Sequence, residues 1–532
     1  VLPAAENRGG VLRDEDREAL ERQQIFLAPH GMEQFHLEIQ NLYAALAQPT
    51  EKLTVSYPVS DGKGAEKRPS FVIGRIARLL PSISVETESA DKEYRLSAKS
   101  TALEYAGEHI GGALWQYFEG QGDAERALAA MKDASRYTRG HLSRDAVRAL
   151  YGGAVTLSAS RMDMARSCHF AYFMRYGLKA RERTGAGFDA PQIGTFVHDV
   201  MEHTLRQAKE CGGLHTLSKD KLHALVRASI EEYIDRVLPD LSEKSARFRY
   251  LFNRLCATVE RIMDEMSEEL QSSDFEPLAF ELEFGADGQL PAITIREENG
   301  TARVVGKVDR VDGWLHDGKL YLRVVDYKTG KKSFDLAELR YGLGLQMLLY
   351  LFTLKEEGQM LFGGHEIVPA GVLYTPAREP MLRCARDTEP EKIEKALKKE
   401  LRRSGMVLED PAVLQAMEHS ALESPCYLPI AVKRDGAVTG SLASAEQLGK
   451  LSKYVDHILH EITQEVFAGN IDADPYARTP QQSACTYCEF ASACHFENGC
   501  GSDRMEYIKA TKNDEFWQYI DEVNGEGAHE NG

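Results

Sequence analysis

The chain has 532 residues, 43% of them apolar, which at roughly 150 residues per domain allows three or four domains with buried cores and excludes disorder or collagen-like repetition for its bulk. Its 64 Lys and Arg stand against 82 Asp and Glu, a net charge of −18, so a nucleic-acid partner has to be held by local basic surface, not by overall charge. No apolar run of about 18 residues could span a bilayer, and VLPAAENRGG at the start lacks the basic and apolar segments of a signal peptide; the expectation is a cytoplasmic protein with no membrane partner.

The first residue is Val1 and not a methionine, as expected of a piece of something longer. Residues 1–110 read as an α/β segment: helical DEDREALERQQ (14–24) and SFVIGRIARLL (70–80) flank the strand-like LTVSY (53–57) and the turn-rich PVSDGKGAEKRP (58–69). Residues 111–156 read as a charged helical connector that breaks at Gly152-Gly153. From Ser158 to Gln271 the pattern is helical, including the amphipathic KDKLHALVRASIEEYIDRVL (219–238). The period then changes to that of strands at LAFELEF (278–284), ARVVGKVDRVDGW (302–314) and KLYLRVVDYKT (319–329). A helix DLAELRYGLGLQMLLYLFTL (335–354) and a strand VPAGVLYT (368–375) follow. The order αβββαβ predicts a compact mixed sheet. Residues 442–468 are again helical, residues 501–532 read as an acidic tail, and residues 508–532 within it as frayed.

The second and third strands meet at Asp317-Gly318, the strong signal for a two-residue hairpin whose turn needs positive φ at both positions. That turn sets Asp309 directly opposite Asp326. Cross-strand partners lie about 4.5–5.5 Å apart at Cβ, where two like charges destabilise unless a cation lies between them. Lys328 shares the face of Asp326, after Leu320, Leu322 and Val324. Two carboxylates and an ammonium ending an apolar face predict an oxygen-rich site for Mg²⁺ or Mn²⁺. Such a site suits phosphodiester hydrolysis, with the lysine orienting or helping to deprotonate the attacking water and stabilising developing charge.

GKVDRVD (306–312), DYKTG (326–330) and QMLLY (346–350), preceded by GTFVH (194–198), resemble in this order the motifs of RecB-type nucleases of the PD-(D/E)XK superfamily. The resemblance implies a restriction-endonuclease-like αβββαβ core with extensive helical additions. It implies His198, Asp309, Asp326 and the Tyr327 carbonyl as metal ligands. Asp309, Asp326, Lys328, Gln346 and Tyr350 correspond to the catalytic set, with Gln346 and Tyr350 on one helical face.

Cys485-x₂-Cys488-x₅-Cys494 supplies three thiolates, one short of a closed four-ligand site. Cys168 is the candidate fourth and Cys500 competes by proximity; zinc or free thiols are the alternatives to an iron-sulfur centre. One cysteine before the nuclease motifs and three after them resemble the iron-sulfur nucleases exemplified by AddB-type subunits of bacterial AddAB helicase-nucleases. This implies a structural [4Fe-4S] cluster within a nuclease domain over 157–500. Residues 41–70 resemble the end of the helicase-like region of those subunits, with Gln48 where active helicases carry an arginine. With no Walker A pattern either, ATP hydrolysis is not expected. The family implies a heterodimer with an AddA-type helicase-nuclease subunit, and cleavage of the 5′-ended strand as single-stranded DNA during double-strand break processing. The alternative is a catalytically silent DNA-binding scaffold. Residues 301–340 hold nine Lys or Arg against six Asp or Glu; among them Lys307, Arg310, Lys331 and Lys332 are the candidate phosphate contacts.

Overall fold

The change to strand periodicity near residue 276 marks the start of a six-stranded sheet. In this computed structural model the described residues are 14–25, 27, 31–59, 66–83, 95–136, 138–181, 190–285, 288–330, 333–380, 382, 384–385, 388–479 and 481–525. They divide into two compact units, residues 1–128 and 129–532.

In the larger unit, β1 is Ala154–Leu157, β2 Glu276–Phe284, β3 Ile293–Glu297, β4 Gly300–Val304, β5 Gly306–His316, β6 Lys319–Lys328, β7 Glu366–Pro376 and β8 Ser404–Leu408. The main sheet runs β8, β7, β6, β5, β2 from one side to the other, with the short strand Leu442–Ala443 outside β8. β5 and β6 are antiparallel, and β6 and β7 are parallel across the helix Gln346–Glu357. That helix buries Met347 through Leu354 without interruption, as a helix apolar all round must, and it packs on β6 and β7. Helix Ala246–Gln271 covers the opposite face, where its Met266 and Glu269 meet side chains of β6. The result is a mixed α/β sheet between helical layers. The sequence led us to expect one long second strand, over 302–314, and one long helix after the third. The former is split at Val305 into β4 and β5, and the latter into Leu336–Arg340 and Gln346–Glu357, between which Gly342 and Gly344 take positive φ of 74° and 69°.

Two further expectations are corrected. Residues 129–156 belong to the larger unit and do not form a connector. Leu142 N–H bonds to the Gly469 carbonyl, Arg139 pairs with Asp503, and β1 lies parallel to β4. Residues 508–525 are not frayed either: Glu506–Tyr507 before them pairs with strand Tyr476–Thr479, and helix Asn513–Val523 buries Phe516, Trp517 and Ile520.

The named elements of the smaller unit are helices, Asp14–Arg22, Gly31–Ala47, Phe71–Leu79, Lys99–Glu108 and Ala113–Phe118, with the start of Asp123–Ser135. The strand expected at residues 53–57 does not form. Leu53 and Val55 are exposed, and an apolar run becomes a strand only where a neighbouring strand completes its ladder.

Candidate active site

The hairpin turns at Asp317 and Gly318, with φ of 49° and 79°, the positive pair that a type I′ turn requires. Its ladder runs from His316–Lys319 to Arg310–Val325, which brings Asp309 and Asp326 next to one another at the open end. The Asp309 carboxylate accepts the backbone N–H of Tyr327 at 2.9 Å. Asp326 is buried, and its Oδ2 lies 2.6 Å from Lys328 Nζ. His198 reaches the same end from helix Ala190–Glu210: its Nε2 lies 3.1 Å from the Tyr327 carbonyl, and its Nδ1 lies 3.5 Å from Asp309. Helix and strand end approach closely there, since a Cβ on Gly194 would stand 4.0 Å from Thr329 Oγ1.

Glu281 completes the cluster and escaped the sequence reading. One ligand atom each from His198, Glu281 and Asp309 lies within 4.8 Å of the others. Glu281 sits inside β2 with φ 49°, a left-handed kink that a glutamate seldom adopts in a strand, and its carboxylate pairs with Lys307 at 2.7 Å. The sequence signal for it was slight, an acidic residue in an alternating strand.

The electrostatics suit a cation. Burial first, and then the neighbouring Asp326, raises the carboxyl of Asp309 well above the usual range. Two adjacent carboxylates away from water cannot both ionise cheaply unless positive charge lies between them. Acidic oxygens suit Mg²⁺ or Mn²⁺, and a His nitrogen suits first-row transition ions.

Gln346 and Tyr350 stand one turn apart, with the Gln346 amide 3.2 Å from the Tyr350 hydroxyl. Both line a cleft of about 560 Å³ together with Lys307, Ser158 and Ser160. Gly306 allows the cleft wall to close, because a Cβ there would lie 2.5 Å from the rings of both Phe284 and Tyr350. Of the candidate phosphate contacts, Lys307 is half-exposed beside the cleft. Arg310 is corrected: alternation along β5 sends it to the face opposite Asp309, where it is fully buried and paired with Asp312. Lys331 and Lys332 lie outside the described residues.

The PD-(D/E)XK nuclease superfamily matches residues 156–495, a span that contains every one of these side chains. The chain belongs to this superfamily. It is 30% identical, over 98% of its length, to a protein of Ruminiclostridium cellulolyticum named as an ATP-dependent helicase/deoxyribonuclease subunit, covering 47% of it. Proteins of the same name from Acetivibrio thermocellus and Clostridium perfringens are 31% and 30% identical over 98% and 99% of the chain, which covers 47% and 48% of them. The chain thus spans about half the length of the curated relatives it matches.

Within the superfamily match lies a second constellation. Cys168, Cys485, Cys488 and Cys494 line one cavity of about 600 Å³. Cys168 is buried at the junction of two helices, and burial pushes its thiol up to about 12. The Cys485 and Cys494 thiols are also raised by burial. Beside them His169 bridges Asp474 at 2.5 Å and Glu465 at 3.1 Å, holding the segment of Cys168 to the segment before the three-cysteine loop. Cys500 is exposed and is not part of the cavity lining. Four soft ligands converging from distant parts of the sequence fit a four-thiolate centre.

Proposed function

We propose that the chain is the nuclease-bearing half of an AddB-type subunit, a metal-dependent DNA exonuclease acting in the cytoplasm with an AddA-type helicase-nuclease partner at double-strand breaks. The observation that carries this reading is the meeting of His198 and Asp309 with Glu281 at the open end of one hairpin, where Asp326, paired with Lys328, neighbours Asp309. His198, Asp309, Asp326 and the Tyr327 carbonyl would hold Mg²⁺ or Mn²⁺. The ion supplies a water of lowered pKa and neutralises charge developing on the phosphate. Lys328, held at the site by Asp326, orients the attacking water and stabilises the same charge. Gln346 and Tyr350 position the substrate strand along the cleft, with Lys307 at its side. Single-stranded DNA and cleavage from the 5′-ended strand follow from the family resemblance. Cys168, Cys485, Cys488 and Cys494 would hold a [4Fe-4S] cluster that staples the two ends of the domain.

The test is Asp309→Ala in the full complex with Mg²⁺, assayed on DNA labelled so that degradation of the 5′-ended strand is followed apart from cutting of the other strand by the partner. Loss of degradation of at least 100-fold, with DNA binding retained, is expected for removal of a metal ligand. Undiminished cleavage would overturn the assignment and leave the silent scaffold as the better reading.

A further inference from the structure

Behind the hairpin, on the face away from the carboxylates, lies a group of charges that the chemistry above does not use. Arg310, Asp312, Arg323, Glu269 and Arg403 are each at most 4% exposed. Arg310 pairs with Asp312 at 2.7 Å, and Arg323 reaches Asp312 at 2.8 Å and Glu269 at 3.5 Å. Arg403 donates to Glu269 at 2.5 Å. The remaining arm of the Arg310 fork, Nη1, donates to the hydroxyl of Tyr327 at 3.0 Å, and that hydroxyl faces Met266 Sδ at 3.7 Å. Burying three guanidinium groups with two carboxylates is costly, and a packed apolar core of the same volume often serves stability as well or better. Stability alone is therefore a poor reason for the network.

Its position supplies another. The β5–β6 ladder ends at Arg310–Val325, so on that side Tyr327 has no strand partner. Its two backbone polar groups face the acidic cluster: the N–H donates to Asp309, and the carbonyl accepts from His198. The side chain of the same residue points to the opposite face and ends on Arg310, the neighbour of Asp309 in sequence. Residues 309–310 and 327 thus form a lock gripped from both faces of the sheet.

We propose that the Tyr327 hydroxyl and the buried Arg310 are positioning residues, which set the metal geometry by fixing the backbone of residue 327 from behind. The inference rests on the reading of His198, Asp309 and Asp326 as a metal site. Neither side chain touches substrate or metal. Both act through the Tyr327 peptide, whose small displacements move the Asp309 and His198 contacts together.

The experiment is titration of the full chain with Mn²⁺, followed by the EPR signal of the free ion, for wild type, Asp309→Ala and Tyr327→Phe. Tyr327→Phe keeps the ring and removes one oxygen. The number of sites reports how much protein is folded, and the dissociation constant reports the geometry of the site. A positioning role predicts an unchanged site number with affinity weakened about 10-fold or more, the usual effect of losing a group that orients a ligand. The Mg²⁺ concentration for half-maximal cleavage should rise in parallel, with little change at saturating metal. A merely structural role would lower the site number or the melting temperature at unchanged affinity, and that result overturns the proposal. Wild-type protein that binds no Mn²⁺, or Asp309→Ala that binds as wild type, would instead refute the metal-site reading beneath it. Should Tyr327→Phe not fold, Arg310→Lys, which keeps the buried cation but gives up the fork, is titrated against the same two outcomes.

Discussion

Gly306 offers a test whose size follows from the packing. A Cβ added there would stand 2.5 Å from both Phe284 Cζ and Tyr350 Cε1, whereas carbon atoms in contact prefer about 3.5–4.0 Å. Each ring must therefore retreat by about 1 Å, and both are buried and stacked edge-on at 5.2 Å, so neither has free room. Overpacking of this kind costs about 1–3 kcal/mol. Alanine recovers about 0.5–1 kcal/mol by restricting the unfolded chain, which leaves Gly306→Ala destabilised by up to about 2.5 kcal/mol. Displacing Tyr350 by about 1 Å at the cleft can cost about 100-fold in rate. Gly313→Ala is the control. Its Cβ would meet the mobile end of Leu278 at 2.4 Å, four residues along β5 and so about 13 Å from the site. Urea unfolding and Mg²⁺-dependent DNA cleavage should show both variants destabilised and only Gly306→Ala slowed, by about 10- to 100-fold. Equal cleavage by the two variants would refute the reasoning.

Glu269 predicts how the domain responds to acid. Burial alone would raise its pKa, but Arg403, then Arg323 and Arg310, outweigh it and hold the carboxyl down to about 2. A depressed carboxylate stabilises the fold above the unfolded pKa of about 4.3, and that contribution fades as pH falls toward 2. The contribution lost is on the order of 3 kcal/mol. Glu269→Gln should be less stable at neutral pH, with a flatter stability profile between about pH 4 and pH 2; an unchanged slope in denaturant melts would contradict it. For the cysteines, anaerobically purified protein should be brown. Cys168→Ser and Cys494→Ser should lose that visible absorbance, and Cys500→Ser should keep it. Bleaching by Cys500→Ser alone, or colourless wild-type protein holding zinc, would overturn the cluster assignment.

What was legible in the sequence depended on how local its cause was. Asp317-Gly318 dictates its own turn, and the turn dictates the register, so the adjacency of Asp309 and Asp326 could be read from residue numbers. Alternation along β5 equally required Arg310 to oppose Asp309. Whether that opposite face was wet or dry, though, depended on helix Ala246–Gln271 and on Arg403, nearly a hundred residues downstream; hence a buried structural arginine was expected to bind phosphate. Glu281 was harder still, because its carboxylate reaches the cluster only through β2 pairing and a left-handed kink that no local pattern announces. The C-terminal helix carried its signal in plain view: Phe516, Trp517 and Ile520 lie on one face, obscured by the acidic composition around them. In the smaller unit, LTVSY has strand composition but no ladder, since composition does not supply a partner.

The most direct test of the hairpin site is a crystal grown with Mn²⁺ and measured at the manganese absorption edge. An anomalous peak is expected between His198, Asp309, Asp326 and the Tyr327 carbonyl, each donor about 2.0–2.3 Å from the ion. A peak elsewhere with this cluster vacant, or Asp309 and Asp326 turned away from a bound ion, would contradict the assignment.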